Sequence, residues 1–373
     1  MKWSVIGVVL FIVLSSASLY VYATNPARQF RVEVFGEVAS GSIYTTGLNL
    51  QEFDPLLPAT QPFLASFSVT GGLLSYRETE SSPLAYVQYS DGVSSYALLD
   101  KESKLWSSRI LIETTGRTHY LAVKDNPHTD IHGILRTGPD SFILPSNKSY
   151  TLADGTKIES FFLEEQFLDG RIGFTWDSLD HVPVENSYTK ELRTYWLENN
   201  INDYFHGNSV RFANDGNLLI SGRHINQIIK ISTTTGEVIW RLGGEDSDFV
   251  FQNDPLGGFN HQHSATQLTN GHILLYDNGN LHNPPQTRVV EYALDETTMT
   301  ATLVWGYATP GRFTYAAGSV QRLPNGHTLI GWGMEFKMDN KTPRITEVDE
   351  SGKVVLQIYF PNDVGFYSAY KFE

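Results

Sequence analysis

"HSATQLTNGHILLYDN" (His263–Asn278) reads as a strand, an Asn-Gly turn and a second strand. "NSVRFANDGNLLISGR" (Asn208–Arg223) stands 55 residues upstream, and "GSVQRLPNGHTLIGWG" (Gly318–Gly333) stands 55 residues downstream. The three align without a gap, and Asp-Gly or Asn-Gly between alternating runs is the strongest short-range hairpin signal. Each is followed by a third run ("QIIKIS", "TRVVEYAL", "RITEVDE") and a fourth ("EVIWRLG", "TLVWGY", "VVLQIYF"). Four antiparallel strands at this period predict a propeller blade. A chance β-sandwich does not explain two identical offsets.

A fainter copy lies upstream in "DIHGILRTGPDSFIL", "KIESFFLEE" and "RIGFTWDS". Earlier still, "LLSYRE", "AYVQYS", "SSYALLD" and "SRILIET" are strands of similar length. Dividing residues 28–373 by the repeat gives about six blades. The expected fold is therefore all-β, a six-bladed β-propeller of four-stranded antiparallel blades. No Pro/Ser linker interrupts residues 28–373, which predicts one continuous propeller domain.

Twenty-seven basic against 41 acidic residues give a net charge of −14, with no basic block. Nucleic-acid binding needs a clustered basic surface and is excluded as a function class. Absence of cysteine removes thiol catalysis, disulfides and Cys-ligated zinc. From Trp3 to Ala27 no residue is charged, and a lone Lys2 precedes this run. Residues 1–27 thus read as a signal peptide or a single-pass signal anchor. The "VYA" ending suits cleavage, whereas ~20 apolar residues over 3–23 suit an uncleaved membrane anchor. Either way the propeller is expected outside the cytoplasm: periplasmic, secreted or lumenal.

In a propeller the first strand of each blade faces the axis. Aligned on the turns, those strands begin Asp130-x-His132, His206-x-Asn208, His261-x-His263 and Ala316-x-Gly318. Their partners end at Arg223, Asn278 and Gly333. Polar groups converging from separate blades are what a site requires. His272 falls in a hairpin turn, aligned with Asn217 and His327, and is expected at the surface, away from the axis.

"DYFHGNSV", "GNLLISGRHINQIIKISTTTGEVIWRLGG", "FNHQHSATQL", "LLYDNG" and "GSVQRLPNGHTLIGWG" together resemble the arylsulfotransferase-like proteins, as do "FTWDSLDHVPVENSY" and "FYSAYKFE". The similarity runs from about His128 to the C-terminus. It implies a six-bladed propeller, an exported location, and transfer of a sulfuryl group between phenols through a transiently sulfurylated histidine. No nucleotide donor and no cofactor is implied, and the partners are a phenolic sulfate donor and a phenol acceptor. Imidazole suits this role, being both nucleophile and general acid near neutral pH. Arginine offers a planar fork to a tetrahedral oxyanion. Carried over, His206, Asn208 and His263 match the family's polar strands, and Arg288 resembles its sulfate-contacting arginine, with Arg223 as competitor. The family's late-blade histidine has no counterpart, since Ala316, Gly318 and Ser319 stand there. His263 is therefore expected as nucleophile or general acid, with His206 and Arg288 catalytic. His132, Asn208, Arg223, His261 and Asn278 are expected to bind substrate.

Two other classes stay open. His132, His206, His261 and His263 form a possible histidine-ligated metal centre with Asp130 behind it. Alternatively the chain is a non-catalytic binding module, which the missing late histidine favours. Minor signals are the sequons Asn147-Lys148-Ser149 and Asn340-Lys341-Thr342. The acidic loop Gly243–Phe249 reads as exposed rather than calcium-binding.

Overall fold

The hairpin that repeats along the sequence is built the same way each time. Ala213 N–H donates to Asn217 O at 2.7 Å, Leu268 N–H to His272 O at 2.8 Å, and Leu323 N–H to His327 O at 2.8 Å. Within each turn the glycine N–H bonds back: Gly216 to Ala213, Gly271 to Leu268, and Gly326 to Leu323. Gly216 and Gly271 sit at φ +82° and +88° with open space where a Cβ would stand. The left-handed backbone, not crowding, requires glycine there.

The computed structural model describes residues 19–25, 28–52, 59–69, 71–100, 108–124, 129–188, 201–336 and 339–372. Six antiparallel sheets follow one another, the four-stranded blades of a six-bladed β-propeller. Blade 1 joins Ser42–Asn49, Phe63–Phe67 and Leu73–Glu78 to the C-terminal strand Val364–Phe372. Blade 2 runs from Pro83 to Leu121, blade 3 from Leu135 to Asp177, and blade 4 from Gly207 to Gly243. Blade 5 runs from His263 to Tyr307 and blade 6 from Ser319 to Tyr359. The chain divides into two compact units, Gly92–Ala316 and Met1–Asp91 with Ala317–Glu373. Every expected site residue belongs to the first.

Inside that unit the middle strands of blade 4, Leu218–Gly222 and Gln227–Ile231, are buried along their whole length. Their two faces go to different neighbours, because successive side chains of a strand point oppositely. Leu218, Ile220, Ile229 and Ile231 pack with Ile143, Ile158, Phe161 and Leu163 of blade 3. Leu219 and Ile228 pack with Ala265, Ile273, Leu275 and Val290 of blade 5. Burial of both faces explains why these strands read as continuous apolar runs. The same packing brings the starts of the first strands of blades 3, 4 and 5 together, and with them the polar residues that precede those strands.

In the other unit, blade 6 gains two outer strands, Arg28–Val34 and Leu19–Asn25, which pair antiparallel with each other. The expected spanning segment 3–23 therefore ends in a strand. Residues 1–18 lie outside the described residues. Among the described residues no helix is long and apolar enough to cross a membrane.

Candidate functional site

His206 and His261 lie just before the first strands of blades 4 and 5, at φ 47° and 52°; Ala317, before the first strand of blade 6, has φ 58°. Non-glycine residues take this left-handed conformation at a cost, and such strain collects at sites. The repeat register makes His206 and His261 equivalent, with Ala316 at the third position and the kinked Ala317 one residue beyond it, so the shared kink of blades 4 and 5 carries an imidazole in both.

Two aspartate–histidine pairs form the centre. Asp130 Oδ1 lies 2.7 Å from His132 Nδ1 and also accepts the His132 backbone N–H at 2.8 Å. Asp203 Oδ2 makes a very short contact to His206 Nδ1, while its Oδ1 accepts the His206 N–H at 3.0 Å. A carboxylate accepts only, so in both rings Nδ1 carries the proton and Nε2 is the basic nitrogen. The two imidazoles meet edge to face at 5.2 Å between centroids. His132 is buried, whereas the His206 side chain keeps 28% of its exposure and is the more accessible ring. Burial opposes charge on Asp203, yet His206 and then His224 hold its carboxyl below the usual range.

A buried second layer lies against His206. His224 stacks on it at 4.6 Å and holds the Asp203 carbonyl through Nδ1 at 2.6 Å. The ring of His261 lies 6.3 Å from that of His224. His261 is wholly buried, and neither of its ring nitrogens has a partner. Arg223 donates to Tyr315 O through Nη2 at 2.8 Å, but its buried Nε is also unpartnered. Burial lowers this guanidinium to about 10, and Asp203 opposes the drop; it is charged at neutral pH. A buried donor left unmade costs about 1–3 kcal/mol, so such groups are rare without a ligand to satisfy them. His263 Nδ1 lies 2.7 Å from Asn278 Oδ1, and Asn278 Nδ2 donates to Thr314 O at 3.0 Å. The amide is thereby oriented as an acceptor toward the ring, which makes Nδ1 of His263 the donor. Asn208 Nδ2 donates to Gln262 O at 2.7 Å and tethers blade 4 to the residue before His263.

Of the residues expected from the sequence, His132, His206, His261, His263, Arg223, Asn208 and Asn278 fall in or against this cluster. Arg288 does not. Its Nε donates to Asp277 at 2.8 Å, and Nη1 and Nη2 grip Asp254 at 2.8 and 2.9 Å. Nη2 also reaches Gly258 O at 2.6 Å. A guanidinium engaged this way has its fork filled by carboxylates, so Arg288 is a structural clamp and Arg223 is the arginine beside the histidines. Asn147 is not an open sequon: its amide donates to Asp130 Oδ2 at 3.2 Å. Asp246 and Asp248 of the acidic loop are taken by Gln227 and the Arg241 backbone. His272 pairs with Glu291 at 2.7 Å and His327 with Glu347 at 2.9 Å, equivalent pairs of successive turns. Sequence reading missed Asp203, His224 and Glu159. The Asp-x-x-His spacing in "DYFH" was the available signal for Asp203.

Three of these rings make folding pH-dependent. Burial, then His206, pushes His224 well below the ordinary imidazole range. Burial, then Arg223, does the same to His261 and His263. Unfolded, they take up protons near pH 6.5; folded, they do not. Their contribution is therefore complete above that pH and is lost as pH falls below it. The loss is up to about 1.4 kcal/mol per pH unit for each ring. Glu159, raised to about 7 by burial and then by Asp203 and Asp130, acts oppositely as pH falls from 7 toward 4.5. Three rings outweigh one carboxyl. The melting temperature is expected to drop as pH falls below about 6.5, and less steeply in His261→Gln. A flat profile would contradict neutral buried rings.

No curated protein matches the chain. Among solved structures it is similar to a protein of unknown function from Bacteroides caccae, at 13% identity and TM-score 0.50, covering 89% of this chain and 98% of that one. A putative 6-phosphogluconolactonase from Bacteroides fragilis aligns at 11% identity and TM-score 0.47, covering 90% and 98%. Virginiamycin B lyase from Staphylococcus aureus aligns at 11% and 0.45, covering 89% and 88%. Likeness at these identities concerns the fold. Residues 109–361 match the arylsulfotransferase (ASST) family, and the chain belongs to it.

Proposed function

We propose that the protein transfers a sulfuryl group from a phenolic sulfate to a phenol, with His206 as the transient carrier. The observation that carries this reading is the Asp203–His206 pair facing Asp130–His132 beside a buried arginine with an unpartnered Nε. In the first half-reaction His206 Nε2 attacks sulfur, the N–S bond forms and the S–O bond to the donor phenol breaks. The ring becomes an N-sulfonated imidazolium, and the Asp203 carboxylate on Nδ1 compensates its charge. The donor phenol leaves as phenolate; in the second half His132 Nε2 takes the acceptor phenol's proton as its oxygen attacks sulfur, the N–S bond to His206 breaks, and that proton returns to solvent. Arg223 Nε and a nitrogen of His261 supply donors to the sulfuryl oxygens, which fits their unmet hydrogen bonds. His263, neutral and fixed by Asn278, shapes the wall beside them.

The sequence favoured His263 as carrier. His206 is preferred because its partner is a carboxylate and its ring is reachable, while His263 has a neutral partner and is buried. Location outside the cytoplasm rests on the uncharged run Trp3–Ala27. The test is a transfer assay with p-nitrophenyl sulfate and a second phenol. Release of p-nitrophenol that depends on the acceptor is expected. Hydrolysis to free sulfate without dependence on a phenol would contradict transfer.

A further inference from the structure

We infer that Asp203, His206 and His224 form a binding site for a divalent cation of the zinc class, taken up in place of the proton that joins Asp203 to His206. One carboxylate and two imidazoles offer ligand atoms that all lie within 4.8 Å of one another. Asp203 Oδ2 faces both rings, in short contact with His206 Nδ1 and 3.9 Å from His224 Nδ1. Bonds of about 2.0–2.2 Å draw these atoms together by turning the two rings, which now stack at 4.6 Å between centroids. The mixed nitrogen and oxygen set selects zinc, cobalt or nickel over calcium and magnesium, which take oxygen ligands. Of the histidines that the sequence suggested for a metal centre, only His206 belongs to this trio.

The surroundings favour a dication. His224 Nδ1 now donates to the Asp203 carbonyl at 2.6 Å, so ligation through this nitrogen moves that proton to Nε2. Glu159 lies in register with Asp203 on adjacent parallel strands. Two further carboxyl groups, Glu159 and Asp130, thus stand beside the trio, against one buried guanidinium, Arg223. A cation on Asp203 displaces the proton that His206 Nδ1 now shares with it, so uptake is coupled to proton release. This site does not depend on sulfuryl transfer, and metal binding is read without any activity.

Metal-stripped full-length protein is titrated with Zn²⁺ near neutral pH by calorimetry in two buffers of different ionisation enthalpy, and with Co²⁺ by absorbance. Expected are one equivalent, net proton release, and a Co²⁺ spectrum showing nitrogen ligation. His224→Gln and Asp203→Asn are expected to weaken binding by roughly 100-fold. His272→Gln, whose ring pairs with Glu291 outside the trio, is expected to leave it unchanged. No saturable binding by the wild type, or an all-oxygen Co²⁺ spectrum, would overturn the site. So would equal affinity in the wild type and both trio variants.

Discussion

His206→Ala is expected to lower acceptor-dependent release of p-nitrophenol by a factor on the order of 10⁴ to 10⁶, the scale of losing a covalent carrier. The fold is expected to survive. His206 lies on a kink before a strand, and its side chain is partly exposed, so it adds little to the core formed by Val210, Leu218 and Ile220. Alanine at φ 47° carries strain similar to that of histidine. The loss should appear in kcat more than in KM, because the ring acts on sulfur after the donor is bound. His263→Ala should do less, since its ring is held by Asn278 and forms wall. If the two variants fall equally, or His263→Ala falls further, the carrier assignment moves to His263.

Asp203→Asn is the second large effect, expected at about 10²- to 10⁴-fold in kcat. An asparagine is nearly isosteric but neutral. It cannot compensate the imidazolium formed when Nε2 takes the sulfuryl group, and its amide can donate to Nδ1, which would move the ring proton to Nε2 and block attack. Loss of the carboxylate also removes one of the charges that raise Glu159 to about 7, so the rate profile near pH 7 should change shape with it. Mere loss of packing would lower the rate without changing that profile. A rate within threefold of the wild type would show that Asp203 only positions backbone.

The blade repeat was legible because turn chemistry is local: Asp215-Gly216, Asn270-Gly271 and Asn325-Gly326 demand a left-handed glycine whatever surrounds them. Register then carried His132, His206, His261 and His263 to the site, since strand period fixes which ends meet. Asp203 was not legible by register. It belongs to the short strand Ile201–Asp203, which runs parallel to Lys157–Glu159 and lies outside the repeat. His224 follows Arg223, where the second strand of the blade has ended, and alternation no longer says which way a side chain faces. Arg288 failed for another reason. Its carboxylate partner Asp254 lies 34 residues away, and an arginine facing a ligand reads the same as one facing a buried aspartate.

The central claim is tested most directly by quenching the protein with a phenolic sulfate in the absence of acceptor and mapping the sulfuryl group by mass spectrometry. Trypsin isolates His206 as the only histidine of Thr194–Arg211, whereas His261 and His263 share Leu242–Arg288. The adduct is expected on Thr194–Arg211, acid-labile as a sulfuryl-histidine is, and discharged when a phenol is added. Turnover with the adduct on Leu242–Arg288, or with no adduct on any histidine peptide, would contradict it.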